Sequence, residues 1–534
     1  MRILFAVLLF LLPNIPALAQ TRAPRPRPKL VLLIAVDQFR YDYFPRFRDQ
    51  YTGGLKLLLD RGANFVDGHL EHYPSVTAVG HSTMLSGATP AVSGIIGNDW
   101  FDRESGKQVT SVSDLTVQPL GDAVKPDQGA SPRRLLVSTL GDELKRADPG
   151  SGAKVIGLSM KDRSSILPVG RMADAAYWFD EATGQFISST YYFKELPAWV
   201  RQFNDAKHPQ SYVDRVWLKA AGSGAERRLP SEPGRALNAA IYGSPLGNEL
   251  LELLVERAIE AEKLGQRGST DLLSVSFSSN DPVGHSLGPD SPEVREVAIQ
   301  TDRVLDRLFK YLDKTVRMAN VLVVMTADHG VAPVPELLIQ QKMPGGRVAG
   351  QFFDPIQKAL EARFGAGKWL LSTAGSSPYF NYELMEQKNL DPAEVQKVAA
   401  RAIAKSPMVS RVYTREQLLS GRAAADKFDQ RVARSFNPRR SGDLEILLDP
   451  YWIRAGGAGA THGTPYNYDT HIPIVFMGPG IREGRYYQHA ALNDVAPTLA
   501  ALLDIETPSG SVGRVLHEMF LPEPSSVTVT KNLK

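Results

Sequence analysis

Six side chains suited to holding divalent metal sit where apolar runs of this chain end or begin. Asp37 directly follows residues 29–36 (KLVLLIAV), Asp281 and His285 follow 271–277 (DLLSVSF), and Asp328 and His329 follow 320–326 (NVLVVMT). His462 stands in a Gly-rich loop shortly before 472–476 (IPIVF). Carboxylates and imidazoles are the donors zinc takes when thiolates are absent. The chain has no cysteine, which excludes thiolate ligands, a thiol nucleophile and a disulfide framework. One acid after a strand is usually a helix cap. Three carboxylates and three imidazoles at one sheet edge need another reason.

A nucleophile and two cations belong to the same pattern. Thr77 follows Tyr73-Pro74-Ser75-Val76 and opens a predicted helix running to about residue 85. Free backbone N–H groups at a helix start favour an anionic phosphoryl group. A threonine hydroxyl is a weak nucleophile until a metal or base activates it. Lys161 and Arg163 follow the apolar run 154–160 (KVIGLSM). Cations there neutralise the spare oxygens of a phosphate monoester, whereas a diester has one charge fewer and a substituent in that place. Alone, Lys-x-Arg reads as solvated surface.

These groups need a scaffold that brings strand ends together. Continuous apolar runs of strand length mark parallel strands covered on both faces. They alternate with helical patterns at 55–61, 132–146, 248–263, 291–316, 392–404 and 492–503. The reading is an α/β fold: a doubly wound, mostly parallel sheet with helices on both faces and ligands at the strands' C-terminal ends. Residues 160–244 and 333–458, rich in Gly, Pro, Ser and charge, are expected to be cap insertions within a domain spanning 29–522. Residues 1–19 have a basic start, an apolar stretch and Ala17-Leu18-Ala19, the pattern of a signal peptide cleaved before Gln20. An Arg/Pro linker (20–28) follows, and 523–534 reads as a tail. A net charge of +3 gives no argument for nucleic acid. With no later run of spanning length, the expectation is a periplasmic or secreted protein without a membrane anchor or a protein partner.

In order along the chain, Val36-Asp37-Gln38, Tyr73-Pro74-Ser75-Val76-Thr77, Gly97-Asn98-Asp99-Trp100, Lys161-Asp162-Arg163, Asn280-Asp281-Pro282-Val283-Gly284-His285, Thr326-Ala327-Asp328-His329-Gly330 and Thr461-His462-Gly463 resemble the alkaline phosphatase superfamily. The closest resemblance is to its periplasmic, phosphate-irrepressible PafA-type branch, whose nucleophile is threonine. The resemblance implies two zinc ions per chain, one on Asp281, His285 and His462, the other on Asp37, Asp328, His329 and Thr77, with room for additional structural calcium. It implies hydrolysis of small phosphate monoesters through phospho-Thr77, with Asn98, Lys161 and Arg163 on the phosphoryl oxygens. The alternative is a phosphodiesterase or nucleotide pyrophosphatase with the same metals and threonine; relatives of that kind lack the Lys-x-Arg pair. His471 and Asp469 could orient His462 or be structural, and His81, one turn past Thr77, is read as no ligand.

Overall fold

The computed structural model describes residues 27–122, 128–219, 226–348, 350–421 and 425–522. The expected signal peptide, most of the linker and the tail lie outside the described residues. A ten-stranded sheet organises the chain. Leu30–Val36 lies inside it, buried at every position, and pairs in parallel with Asp271–Phe277 on one side and Val321–Thr326 on the other. Every residue of those two neighbours is buried as well. That burial on both faces explains why the strands read as unbroken apolar runs rather than alternating ones.

Beyond Asp271–Phe277 the sheet continues in parallel through Val155–Ser159 and Ala175–Asp180, then in antiparallel fashion through Gln185–Ser189 and Pro119–Leu120. Beyond Val321–Thr326 come antiparallel Ile474–Met477, then Ala63–His69 and finally Gly484–Ala491. Ala175–Asp180 and Gln185–Ser189 belong to residues 160–244, read from sequence as a cap. Part of that stretch therefore extends the sheet instead, and its mixed composition hid two buried strands.

Two groups of helices pack around the sheet. Pro292–Thr315 packs on Gly54–Arg61 and Pro245–Glu262. It starts as the sequence suggests, with Pro292 in the first turn and Ser291 Oγ accepting from Val294 N–H. Asp302, inside this helix, accepts from the backbone N–H groups of Thr52, Gly53, Leu55 and Lys56, so it caps Gly54–Arg61 from a distance. The second group centres on Thr77–Ser86, buried throughout and packed against Asp162–Ile166, Leu140–Ala147 and Val495–Leu503. The helix expected over 132–146 is divided: Pro132–Arg134 is a single 3-10 turn, and the α-helix starts only after Thr139, which forms a capping box with Asp142.

Residues between 335 and 453 contain their own buried cluster, including Phe352, Ile356, Trp369, Phe380, Val395 and Leu444, separate from the core around the large sheet.

Candidate active site

The strand ends deliver three carboxylates into one buried volume. Asp37 and Asp328 are 0% exposed. Asp328 Oδ1 accepts from the backbone N–H groups of Gln38 (3.1 Å) and His329 (3.0 Å), which leaves Oδ2 directed elsewhere. Gln38 holds a positive φ of 60°, costly for a residue with a Cβ and typical of functional sites. The turn lets its side-chain amide donate to Asp281 Oδ1 at 2.7 Å. Gly284 permits that approach, since a Cβ there would lie 1.8 Å from Gln38 Oε1. Asp281 and His285 stand four residues apart on the helix Asn280–Leu287 and so share one face.

Three imidazoles are fixed in one tautomer by backbone carbonyls. Nδ1 of His285 lies 2.9 Å from Ala460 O, Nδ1 of His329 2.9 Å from Gly330 O, and Nδ1 of His462 2.7 Å from Ser75 O. A carbonyl can only accept, so each Nδ1 carries a proton and each ring turns its Nε2 inward. There, Nε2 of His285 and His462 face each other at 3.2 Å, His285 Nε2 lies 3.1 Å from Asp281 Oδ1, and His329 Nε2 lies 3.5 Å from Asp37 Oδ1. Ligand atoms of Asp281, His285 and His462 fall within 4.8 Å of one another, and so do those of Asp37, Asp281 and His329.

The charge count calls for cations. Lys161 Nζ donates to Asp37 Oδ2 at 2.5 Å and to Asp281 Oδ2 at 2.7 Å, so one positive charge faces three carboxylates. Burial and the neighbouring Asp328 push the Asp37 carboxyl well above its ordinary range despite Lys161. Burial acts the same way on Asp281, but Lys161 and the imidazoles of His285 and His462 outweigh it and hold that group well below. Burial keeps the His329 pKa at about 3, so the ring is neutral and its lone pair free. Asp37 Oδ1 and Asp328 Oδ2 are buried without a hydrogen-bond donor. Converging lone pairs, orphaned carboxylate oxygens and uncompensated negative charge are what a divalent metal requires.

The sequence assigned the second metal to Asp37, Asp328, His329 and Thr77. In the structure Asp281 also lies with Asp37 and His329, their ligand atoms within 4.8 Å of one another. Asp328 Oδ2 lies 3.3 Å from His329 Nε2, and Thr77 Oγ1 lies 3.4 Å from the same nitrogen. Thr77 is the first residue of its helix, as expected. Asn98 holds that helix by accepting Ala78 N–H at 2.8 Å through Oδ1, so the amide Nδ2 is its remaining donor. Gly80 lets the helix lie against Asp328, where a Cβ would meet the Asp328 carbonyl oxygen at 2.3 Å. Lys161 occupies the carboxylate cluster. Among the described residues the Arg163 guanidinium ion-pairs with Asp162 at 3.6 Å, and its Nε is buried without a hydrogen-bond partner.

Sequence reasoning missed the part played by His81. Its Nδ1 donates to Thr77 O at 2.9 Å and lies 3.2 Å from Asp328 Oδ2, while the Ser276 hydroxyl donates to its Nε2 at 2.8 Å. The four-residue spacing from Thr77 was the available signal. Asp469, left open from sequence, ties the site's loops together. Its Oδ2 accepts from Thr464 N and Oγ1, both at 2.7 Å, and from Ser75 Oγ at 3.4 Å; its backbone carbonyl accepts Gly330 N–H. His471 instead stacks between Tyr41 and His69, among other contacts.

Residues 31–471 match the family model for type I phosphodiesterase / nucleotide pyrophosphatase. The chain belongs to that family. It is 36% identical over 527 residues to alkaline phosphatase PafA of Elizabethkingia meningoseptica, covering 94% of this chain and 96% of the relative. It is 35% identical over 518 residues to alkaline phosphatase PhoV of Synechococcus elongatus, covering 92% and 93%. The crystal structure of wild-type PafA superposes with a TM-score of 0.85 over 93% of this chain and 99% of that one. The family's α/β architecture, a large and mostly parallel sheet with helices, is thus the fold of this protein. No described helix is long and apolar enough to cross a membrane.

Proposed function

We propose that this protein is a metal-dependent alkaline phosphatase, hydrolysing phosphate monoesters through Thr77. The observation that carries the reading is the convergence of three tautomerically fixed imidazoles and three carboxylates beside the Thr77 hydroxyl. Similarity to PafA and PhoV over nearly the whole chain supports the reaction class. Asp281, His285 and His462 would hold one divalent ion, and Asp37, His329 and Asp328, with Thr77 Oγ1, the other. Zinc suits these donors. When bound, the ions lower the pKa of the threonine hydroxyl and neutralise charge on the entering and departing oxygens.

The chain's own groups do the rest. The helix start, fixed by Asn98 on Ala78 N–H and by Gly80 on Asp328, aims Thr77 Oγ1 at phosphorus. That oxygen forms the new P–O bond as the ester P–O bond breaks, giving phospho-Thr77 and the alcohol. Water then attacks the same phosphorus, restoring the threonine and releasing inorganic phosphate. Asn98 Nδ2, Arg163 and Lys161 would contact the non-bridging oxygens of the bound ester. A signal peptide ahead of the domain fits an exported enzyme.

Replacing Thr77 with Ala tests the assignment. Turnover should fall at least ~10³-fold, the scale of losing a covalent nucleophile, while metal content measured on the purified variant stays at the wild-type level. Near-wild-type turnover would remove Thr77 from the mechanism.

The family's description favours one second reading, a phosphodiesterase on the same groups. Lys161 and Arg163 weigh against it, because a diester carries one charge fewer and a substituent in place of one oxygen they would neutralise.

A further inference from the structure

A cavity of about 240 Å³ adjoins the reacting groups. Its lining joins Val76, Asn98 and His462 of the site to Phe352, Trp452 and Arg454 of the separately packed region. A phosphoryl group placed on Thr77 would leave this cavity as the space beside it for the alcohol portion of the ester. Most of the far lining is flat or apolar. Arg454 is the exception.

The Arg454 guanidinium carbon sits 5.4 Å from the Phe352 ring centroid and 4.9 Å from that of Phe353. It makes no hydrogen bond or ion pair with any described residue. Three other arginines of the same region are paired with acids, Arg347 with Glu336, Arg411 with Asp426 and Asp429, and Arg434 with Glu71. Asp99, an acid of the cavity lining, is engaged by Gln108 Nε2 at 2.8 Å.

We propose that this cavity is the leaving-group subsite and that Arg454 makes it prefer phosphate monoesters whose alcohol portion is flat and carries an oxyanion. The inference rests on the monoesterase reading above. Aromatic walls take a ring at small entropic cost, and a guanidinium held over two aromatic faces keeps its N–H fork free for a carboxylate or a second phosphate.

The test compares kcat/KM for meta- and para-carboxyphenyl phosphate with that for phenyl phosphate, in the wild type, Arg454→Met and Arg454→Lys. The quantity read is the carboxyphenyl-to-phenyl ratio, in which intrinsic leaving-group reactivity and any general loss of activity cancel. For at least one isomer, Arg454→Met should lower the ratio about tenfold, the worth of one charge-assisted hydrogen bond, and Arg454→Lys should retain most of it. Ratios equal within about twofold for wild type and Arg454→Met with both isomers would overturn the subsite while leaving the phosphatase intact. Failure of the wild type to hydrolyse any of the three esters would instead overturn the monoesterase reading.

Discussion

Asp37, Asp328 and His329 are fully buried at the ends of central strands, whereas Arg454 is exposed on a region with its own hydrophobic cluster. Each member of the first set is held by several fixed contacts: two backbone N–H groups on Asp328, a carbonyl behind each imidazole, a lysine across two carboxylates. Arg454 is held by ring contacts alone. The difference separates bond making from choice of alcohol. Groups that must be placed to a fraction of an ångström hang on the sheet. Groups that meet the variable part of a substrate hang on a unit that can change without disturbing the sheet.

The sharpest way to break this comparison is to remove Asp281, the carboxylate common to both clusters. Asp281→Ala should lower kcat/KM at least ~10³-fold and reduce metal stoichiometry, first at the position it shares with His285 and His462. Retention of two tightly bound ions would show that Asp281 is not a ligand. Next in size, Lys161→Ala and Arg163→Ala should each lower monoester kcat/KM about 10²-fold and affect diester turnover much less. Equal losses would remove the argument that these cations select monoesters.

A smaller effect is expected at the helix carrying the nucleophile. Gly80→Ala places a methyl against the Asp328 backbone and should cost about 1–3 kcal/mol by thermal unfolding, with activity falling as Thr77 moves. Unchanged activity and stability would mean the helix is free to shift. Asp469→Ala leaves the Thr464 N–H and hydroxyl without their acceptor and should weaken zinc affinity about tenfold, with Asp469→Asn, which keeps an acceptor, restoring most of it.

An effect on stability alone belongs to the outer region. Burial pushes the Glu445 carboxyl from 4.5 to about 7, with Ser377 as its hydrogen-bond donor. Folding therefore favours the protonated acid. Its contribution is complete below pH 4.5 and is lost as pH rises through 7. Glu445→Gln should raise stability at pH 8 by no more than about 3 kcal/mol and change it little at pH 4. A difference of the opposite sign, read by chemical denaturation at both pH values, would contradict the buried placement.

Much of the site was legible because parallel strands buried on both faces must be apolar until they end, so Asp37, Asp281 and Asp328 stand out as the first charges after long apolar runs. The strands Ala63–His69 and Gly484–Ala491 were not legible. Edge position leaves much of Gly484–Ala491 exposed, and both sequences mix polar residues with small ones. Composition likewise concealed Ala175–Asp180 and Gln185–Ser189. Gln38 lay in a recognisable motif, yet nothing in its sequence announces a positive φ or a bond to Asp281. Lys161 was expected at the phosphoryl oxygens, and only coordinates reveal that it also bridges Asp37 and Asp281.

Whether the buried groups make a phosphomonoesterase is read from kcat/KM for p-nitrophenyl phosphate beside bis-p-nitrophenyl phosphate, on purified protein with zinc at mildly alkaline pH. The monoester should be preferred by about 10²-fold or more, with activity abolished by chelation and restored by zinc. A preference for the diester would place the protein among phosphodiesterases and leave Lys161 and Arg163 without their role.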